Sequence, residues 1–177
     1  MDYLDCLFAV AGAYFLFSLL GWAMETAYCS AARRHFSNNA VLSVPFSPVY
    51  GAGAVLSGAL TESLSDPFAV FGVCALVCCA VEYFTGTLLE KTLLKRYWDY
   101  SKKTANFKGR ICLKNGVLFG LLGLFAHGVW KTVITVLASF PAPLLILAET
   151  VLAVWLIFRF RQVTVQAKDL RDSGRFR

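Results

Sequence analysis

The sequence predicts an all-α polytopic membrane protein with about five transmembrane helices. Its 177 residues are 58% hydrophobic and only 16% charged, whereas soluble domains average about 45–50% apolar and about 25% charged residues. The apolar residues also occur in blocks long enough to cross a hydrocarbon layer about 30 Å thick. No block alternates apolar and polar residues as a barrel strand does, and a bilayer requires internally bonded backbone, so helices are expected.

The predicted spans, in chain order, cover residues 5–28, 49–64, 68–89, 115–138 and 142–160. The chain starts MDYLD, without a basic n-region, so the first span is expected to stay attached rather than to be a signal peptide. The second span is short and rich in Gly and Ala, and it either crosses fully or forms a re-entrant helix. A turn at SDP (65–67) is expected before the third span, because Pro67 disfavours helix at the preceding residue.

The basic residues orient these spans. With the N-terminus outside, the inside segments 29–48, 90–114 and 159–177 contain every Lys and Arg except Lys131. This positive-inside pattern predicts an inside C-terminus and a multi-pass membrane protein. Residues 1–161 are predicted to form one transmembrane domain. Residues 162–177 are predicted to form a mobile basic tail that suits anionic lipid headgroups rather than nucleic acid.

Carboxylates near the inner ends of two spans are candidates for a polar site. A charge at the bilayer centre costs at least about 2.5–3.5 kcal/mol, so Glu25 and Glu82 are expected to face the bundle interior. They either pair with basic residues or line a substrate or proton path. Glu90 lies nearer the interface and is expected to be solvated. The candidates for a substrate or polar site are Trp22, Glu25, Tyr50, Glu82, Tyr83 and Glu90.

Helical spacing predicts two structural features in the last two spans. Gly116, Gly120 and Gly123 fall on one face with His127 and Lys131, and the glycines favour close helix packing. Lys131 and Glu149 lie equally far from the middle of the last hairpin, so they are expected to form a structural ion pair.

The inner loop KRYWDYSKKTANFKGRICL (95–113) combines basic and aromatic residues that suit a membrane interface. Residues 88–100 are expected to form an amphipathic helix along the membrane surface. The interface does not account for Asp99, and Asn106 with Gly109 suggests a shaped turn. Arg110 is expected to reach Glu82 or Glu25. The candidates for shaping or coupling through this loop are Trp98, Asp99, Tyr100, Asn106, Gly109 and Arg110.

Motifs for nucleotide binding and catalysis are absent from the sequence. It contains no GxxxxGK[ST], GxSxG or HExxH, and no CxxC among its six cysteines. No metal site or cofactor is therefore predicted, and the chain is not expected to be an enzyme by itself.

Five segments carry a resemblance to a known family: GWAMET (21–26), PVYGAGAVL (48–56), VEYFTGTLLEK (81–91), YWDYS (97–101) and NFKGRICL (106–113). In this order they resemble bacterial CmpB-like integral membrane proteins described as ABC-transporter type IV permeases. The resemblance extends over roughly residues 14–124. One departure lies before the second span, where Asn39, Ala40 and Val44 replace an Arg and two Gly residues of the family pattern.

The resemblance implies a multi-pass protein of the bacterial cytoplasmic membrane that is an integral component of a transport system, an ABC-type permease. A separate cytoplasmic ATPase would supply energy through the loop 90–114, and five short helices imply a homodimer or another membrane subunit. Two alternatives remain. One is a membrane-embedded enzyme or lipid-binding protein using Glu25 and Glu82, and the other is a regulatory or assembly subunit.

Overall fold

The computed structural model describes residues 3–36, 44–93 and 95–173, and these ranges form five helices and one small β-ribbon. The elements are α1 (Tyr3–Arg33), α2 (Pro48–Thr61), α3 (Pro67–Leu93), β1 (Asn106–Phe107), β2 (Ile111–Cys112), α4 (Leu113–Ala138) and α5 (Ala142–Asp172). The helical class is confirmed. Of the residues that depart from the family pattern before α2, Asn39 and Ala40 lie outside the described residues.

Four of the helices, α1, α3, α4 and α5, are long and apolar enough to cross a membrane. The fifth, α2, has 14 residues, which corresponds to about 21 Å at 1.5 Å per residue, short of the ~30 Å hydrocarbon layer. The second predicted span is therefore a short helix rather than a full-length transmembrane helix. The structure thus has four span-length helices where the sequence predicts five spans.

Helix α2 packs inside the bundle, in contact with α1, α3 and α4. Its buried residues are all small or hydroxyl-bearing: Gly51, Gly53, Ser57, Gly58 and Thr61. The chain enters α2 beside α1, where the Ser47 amide donates to the Ser18 carbonyl at 3.0 Å. A side chain at Gly58 would overlap the Trp130 ring on α4. Small residues therefore allow this short helix to lie between longer ones.

The α3–α4 hairpin confirms the predicted glycine face of α4. A Cβ atom at Gly120 would overlap the Phe71 ring, and one at Gly123 would overlap the Cys74 side chain. Gly116 lies near Cys79, whereas Gly123, farther along α4, lies against Cys74, which comes earlier in α3, so α3 and α4 are antiparallel neighbours.

His127 is a satisfied packing residue, as its position on the glycine face suggests. The Thr61 hydroxyl donates to the Ser57 carbonyl at 2.7 Å and lies 3.0 Å from His127 Nδ1. Because the hydroxyl has one proton, His127 Nδ1 is the donor in the second bond.

The ends of α3 and α5 bear on two further expectations. Helix α3 begins at Pro67, and the Asp66 carboxylate accepts from the Ala69 amide at 2.8 Å, so the turn at 65–67 is confirmed as a helix start. Helix α5 continues to Asp172. The segment predicted as a mobile tail therefore begins as a continuation of this helix.

The outer surface of the bundle is apolar. Leu76 is 75% exposed, Phe125 70% and Phe84 69%. Large contiguous apolar surfaces are rare on soluble monomers but are what a lipid-facing helix presents.

Candidate functional site

The segment between α3 and α4 folds over one end of the bundle, and we call residues 95–112 the loop cap. Its core is a hairpin in which Asn106 pairs with Cys112 and Phe107 with Ile111. The Arg110 amide donates to the Phe107 carbonyl at 3.1 Å. The two central residues, Lys108 (φ 52°) and Gly109 (φ 66°), both have positive φ, as a type I′ turn requires. The predicted shaped turn is confirmed.

Asp99 fixes the first part of the loop cap. Its Oδ1 atom accepts from the Ser101 amide at 3.0 Å, from the Ser101 hydroxyl at 2.5 Å and from Arg96 Nη1 at 3.1 Å. The hydroxyl and amide of Ser101 hold the pKa of the Asp99 carboxyl below its ordinary value of 3.8, because hydrogen bonds to the charged form favour ionisation.

Asn106 links the two halves of the loop cap. Its side-chain amide donates to the carbonyls of Ser101 (3.2 Å) and Lys103 (2.9 Å), and its side-chain oxygen accepts from the Gly109 amide at 3.1 Å. Asp99 and Asn106 therefore hold the loop together by local side-chain to backbone bonds.

Glu90, on the last turns of α3, anchors the loop cap to the bundle. Its two oxygens bind two arginines: Oε1 accepts from Arg96 Nε at 2.7 Å, and Oε2 accepts from Arg110 Nη2 at 2.5 Å. The prediction that Arg110 reaches Glu82 or Glu25 is wrong, since its acid is Glu90. The expectation that Glu90 is simply solvated is also wrong.

Two aromatic residues of the loop cap contact α3. The Trp98 ring lies over Gly86, where an added Cβ would be 3.1 Å from the ring, and its indole N–H donates to the Arg110 carbonyl at 3.0 Å. The Tyr100 hydroxyl donates to Glu82 Oε1 at 3.0 Å. Burial raises the pKa of this hydroxyl, so it remains a donor.

These contacts overturn the prediction of a surface helix over 88–100. Helix α3 ends at Leu93, and residues 95–105 have no helix. The aromatic side chains contact the bundle instead of lying along an interface. Tyr83 of α3 also contacts the loop cap, because its ring lies 5.5 Å from the Phe107 ring and 5.6 Å from the Arg110 guanidinium.

Beneath the loop cap, Glu82 and Glu25 approach each other from α3 and α1. Glu82 is only 5% exposed, whereas Glu25 is half-buried. Their charges are close enough to interact with each other and with the Tyr50 hydroxyl of α2. Tyr50 packs tightly on Gly21, and the neighbouring Trp22 is half-buried. Glu25, Tyr50 and Glu82, from α1, α2 and α3, therefore lie near one another beneath the loop cap.

A family profile described as "Putative ABC-transporter type IV" matches residues 13–163. The chain belongs to this family. No curated protein and no solved structure matches the chain significantly. The match covers the loop cap, Glu25, Glu82 and most of α5, so all the site elements described above lie within the part shared with the ABC-transporter type IV family.

The sequence interpretation overlooked some residues of this family member's site. Arg96 and Ser101 are partners of Asp99, and Asn115, in the first turn of α4, lies beside Glu82 and Tyr100. Ser101 had a usable signal, because a hydroxyl residue two positions after Asp is typical of a local Asx-type turn. Arg96 and Asn115 had none, because their contacts depend on the path of the loop.

The predicted ion pair between Lys131 and Glu149 is wrong. In the described part of the chain, no ion pair joins them. Glu149 Oε1 instead points toward α1, 3.2 Å from where a Cβ would lie on Gly12, while Lys131 is exposed. Equal distance from a hairpin fixes depth but not the rotation of each helix. Within the described residues, no group of three or more His, Cys, Asp or Glu side chains is placed to hold a metal ion.

Proposed function

We propose that this protein is the membrane-embedded subunit of an ABC-type transport system and that the loop cap is the surface on which a separate ATPase docks. Family membership and the four span-length helices support the membrane and transport setting. The observation that carries the docking role is the construction of the loop cap: polar bonds fix its shape internally and bind it to α3.

The way in which the loop cap is held together suits it to transmit movement from a bound protein to α3. A loop that couples two proteins must keep its shape when it is pushed and must be attached to the element that it moves. Asp99 and Asn106 provide the first property. Glu90, through two arginines, provides the second.

The outward face of the loop cap is basic. Its exposed lysines are Lys95, Lys102, Lys103 and Lys108. Under the positive-inside rule this end of the bundle is cytoplasmic, where an ATPase would be found. A docking surface of this kind favours a partner with an acidic patch, because complementary charge accelerates association and selects partners.

We further propose that α2 returns the chain to the outer side, so that the N-terminus lies outside and the C-terminus inside. Its place between α1, α3 and α4 supports this proposal. Where a helix is too short to cross the bilayer by itself, neighbouring helices can supply hydrogen-bond partners for the backbone groups beyond its ends.

Purification of the full chain in a mild detergent, followed by assays for Mg-dependent ATP hydrolysis and for a copurifying nucleotide-binding protein, tests this function. We expect an ATPase with the wild type. Lys102→Glu combined with Lys103→Glu should remove most of it without changing thermal stability. The matched control is Glu62→Lys, an exposed charge reversal beyond the far end of α2, which should leave copurification intact. Recovery of the wild type without any ATPase under several conditions would contradict the proposal.

The alternative of a lipid-binding protein or enzyme using Glu25 and Glu82 has weaker support. Glu82 is buried, and the Tyr100 hydroxyl is bonded to one of its oxygens, so a headgroup would first have to displace the loop cap. Mass spectrometry of copurified lipid distinguishes this case, because a specific lipid lost in both Glu25→Gln and Glu82→Gln would favour it.

A further inference from the structure

The Glu82 carboxyl group is only half satisfied. Oε1 accepts the Tyr100 hydroxyl, whereas Oε2 is fully buried and has no hydrogen-bond partner among the described residues. The Asn115 side chain lies beside the carboxyl group without completing a hydrogen bond to Oε2. Removing an ionised carboxylate from water in this state is costly, because neither solvent nor a full set of donors replaces its hydration.

No cation compensates for this charge within the described ranges. The ion pairs found there join Arg96 and Arg110 to Glu90, and Arg96 to Asp99. The titratable groups that interact with Glu82 are all acids or neutral donors: Glu25 from α1, Tyr50 from α2, Tyr100 from the loop cap, and Cys78 and Cys79 from α3 itself. A second carboxyl nearby makes ionisation of Glu82 still less favourable.

Either a metal cation or a proton could relieve this imbalance, and the geometry favours the proton. Hard metal ions take several oxygen ligands, but the described residues offer no group of three or more His, Cys, Asp and Glu side chains. A proton needs only one oxygen. On Oε2 it would remove the negative charge and turn that atom into a hydrogen-bond donor.

We propose that Glu82 is a proton-binding site, with its carboxyl group protonated at neutral pH while the loop cap covers it. Buried acids of this kind in membrane bundles are the groups that proton relays use. Because Tyr100 bonds to Oε1, movement of the loop cap would change the surroundings of the proton. This inference does not depend on an ATPase partner, so the two proposals can fail separately.

Glu82 and Glu90 form a matched pair for the test, since they lie on the same helix and both contact the loop cap. Glu82→Gln mimics a protonated carboxyl group, so it should preserve the thermal stability of the full chain. Glu90→Gln replaces an ionised carboxylate bound by two arginines, so it should lower the melting temperature by several degrees. In infrared spectra of protein with isotope-labelled glutamate at pH 7, the wild type and Glu90→Gln should show a carboxylic-acid C=O band that is reduced in Glu82→Gln.

The stability of the folded chain should depend on pH in a defined direction. If the folded chain binds the proton of Glu82 more tightly than the unfolded chain does, the stabilisation is present at low pH and is lost as the pH rises. The wild type should therefore lose more stability than Glu82→Gln between neutral and alkaline pH. Glu25→Gln serves as a control, because it should retain the Glu82 infrared band.

Three results would overturn the assignment. One is an unchanged carboxylic-acid band in Glu82→Gln. Another is a loss of stability in that variant as large as in Glu90→Gln. The third is stabilisation of the wild type, but not of Glu82→Gln, by sodium or potassium chloride relative to choline chloride, which would assign the site to a metal cation.

Discussion

Replacement of Gly109 by alanine should open the loop cap locally. Gly109 has φ 66° and is buried in the hairpin turn. The left-handed conformation costs about 1–2 kcal/mol for a residue with a Cβ. The new Cβ would also overlap the Ser101 hydroxyl and lie 2.8 Å from Asp99 Oδ1, and such overpacking costs about 1–3 kcal/mol. The lower ends of both ranges give a local destabilisation of about 2 kcal/mol.

Amide hydrogen exchange measures this opening directly. The Tyr100 amide donates to the Gly109 carbonyl at 2.8 Å, and the Arg110 amide donates to the Phe107 carbonyl, so both should be protected in the wild type. At about 1.4 kcal/mol per tenfold change, the alanine variant should accelerate their exchange roughly 30-fold. Amides at the centre of α3 should exchange as in the wild type.

Lys108→Asn is the matched control, because it places a residue that tolerates positive φ better at the neighbouring turn position. Lys108 is exposed with φ 52°, and Asn tolerates this conformation better than Lys does. Exchange should be equal to or slower than that of the wild type. Unchanged exchange in Gly109→Ala, or equal acceleration in both variants, would refute the turn assignment.

Two further predictions concern packing and pH. Gly123→Leu should lower the melting temperature, because the new side chain would overlap Cys74. Gly128→Ala on the same helix meets nothing within 4 Å and should stabilise the folded chain by about 0.4–1 kcal/mol. Thermal unfolding of both variants and the wild type in the same detergent measures these changes. The Asp99 carboxyl should titrate below 3.8 in NMR spectra, and Ser101→Ala should raise that pKa. Because the shift is downward, the contribution of Asp99 to the loop cap is present above pH 3.8 and is lost as the pH falls through its lowered pKa.

Chain length and hydropathy are sufficient to predict most of the fold. Helices α1, α3, α4 and α5 follow from apolar blocks of spanning length, and the turn before α3 follows from Asp66 and Pro67. The brevity of α2 is partly predictable, because Gly, Ala and Ser favour packing against other helices over contact with lipid. Its exact end at Thr61 depends on contacts with α3 and α4 that the sequence does not specify.

The loop cap shows where sequence reasoning fails. Lys and aromatic residues near a membrane have an ordinary explanation at the interface, so Trp98 and Tyr100 could be assigned there without any partner. Their real partners, Gly86 and Glu82, are set by how the loop folds back. Likewise, Glu82 and Glu90 lie two helical turns apart on α3, and only the path of the hairpin decides which one meets Arg110.

A double-mutant cycle between Arg110 and Glu90 tests the central claim that the loop cap is bound to the end of α3. Arg110→Gln, Glu90→Gln and the double variant would be compared by thermal unfolding in the same detergent. The structure predicts that the double variant loses clearly less stability than the sum of the two single losses, because each single change removes the same bond. Additive losses would contradict the claim.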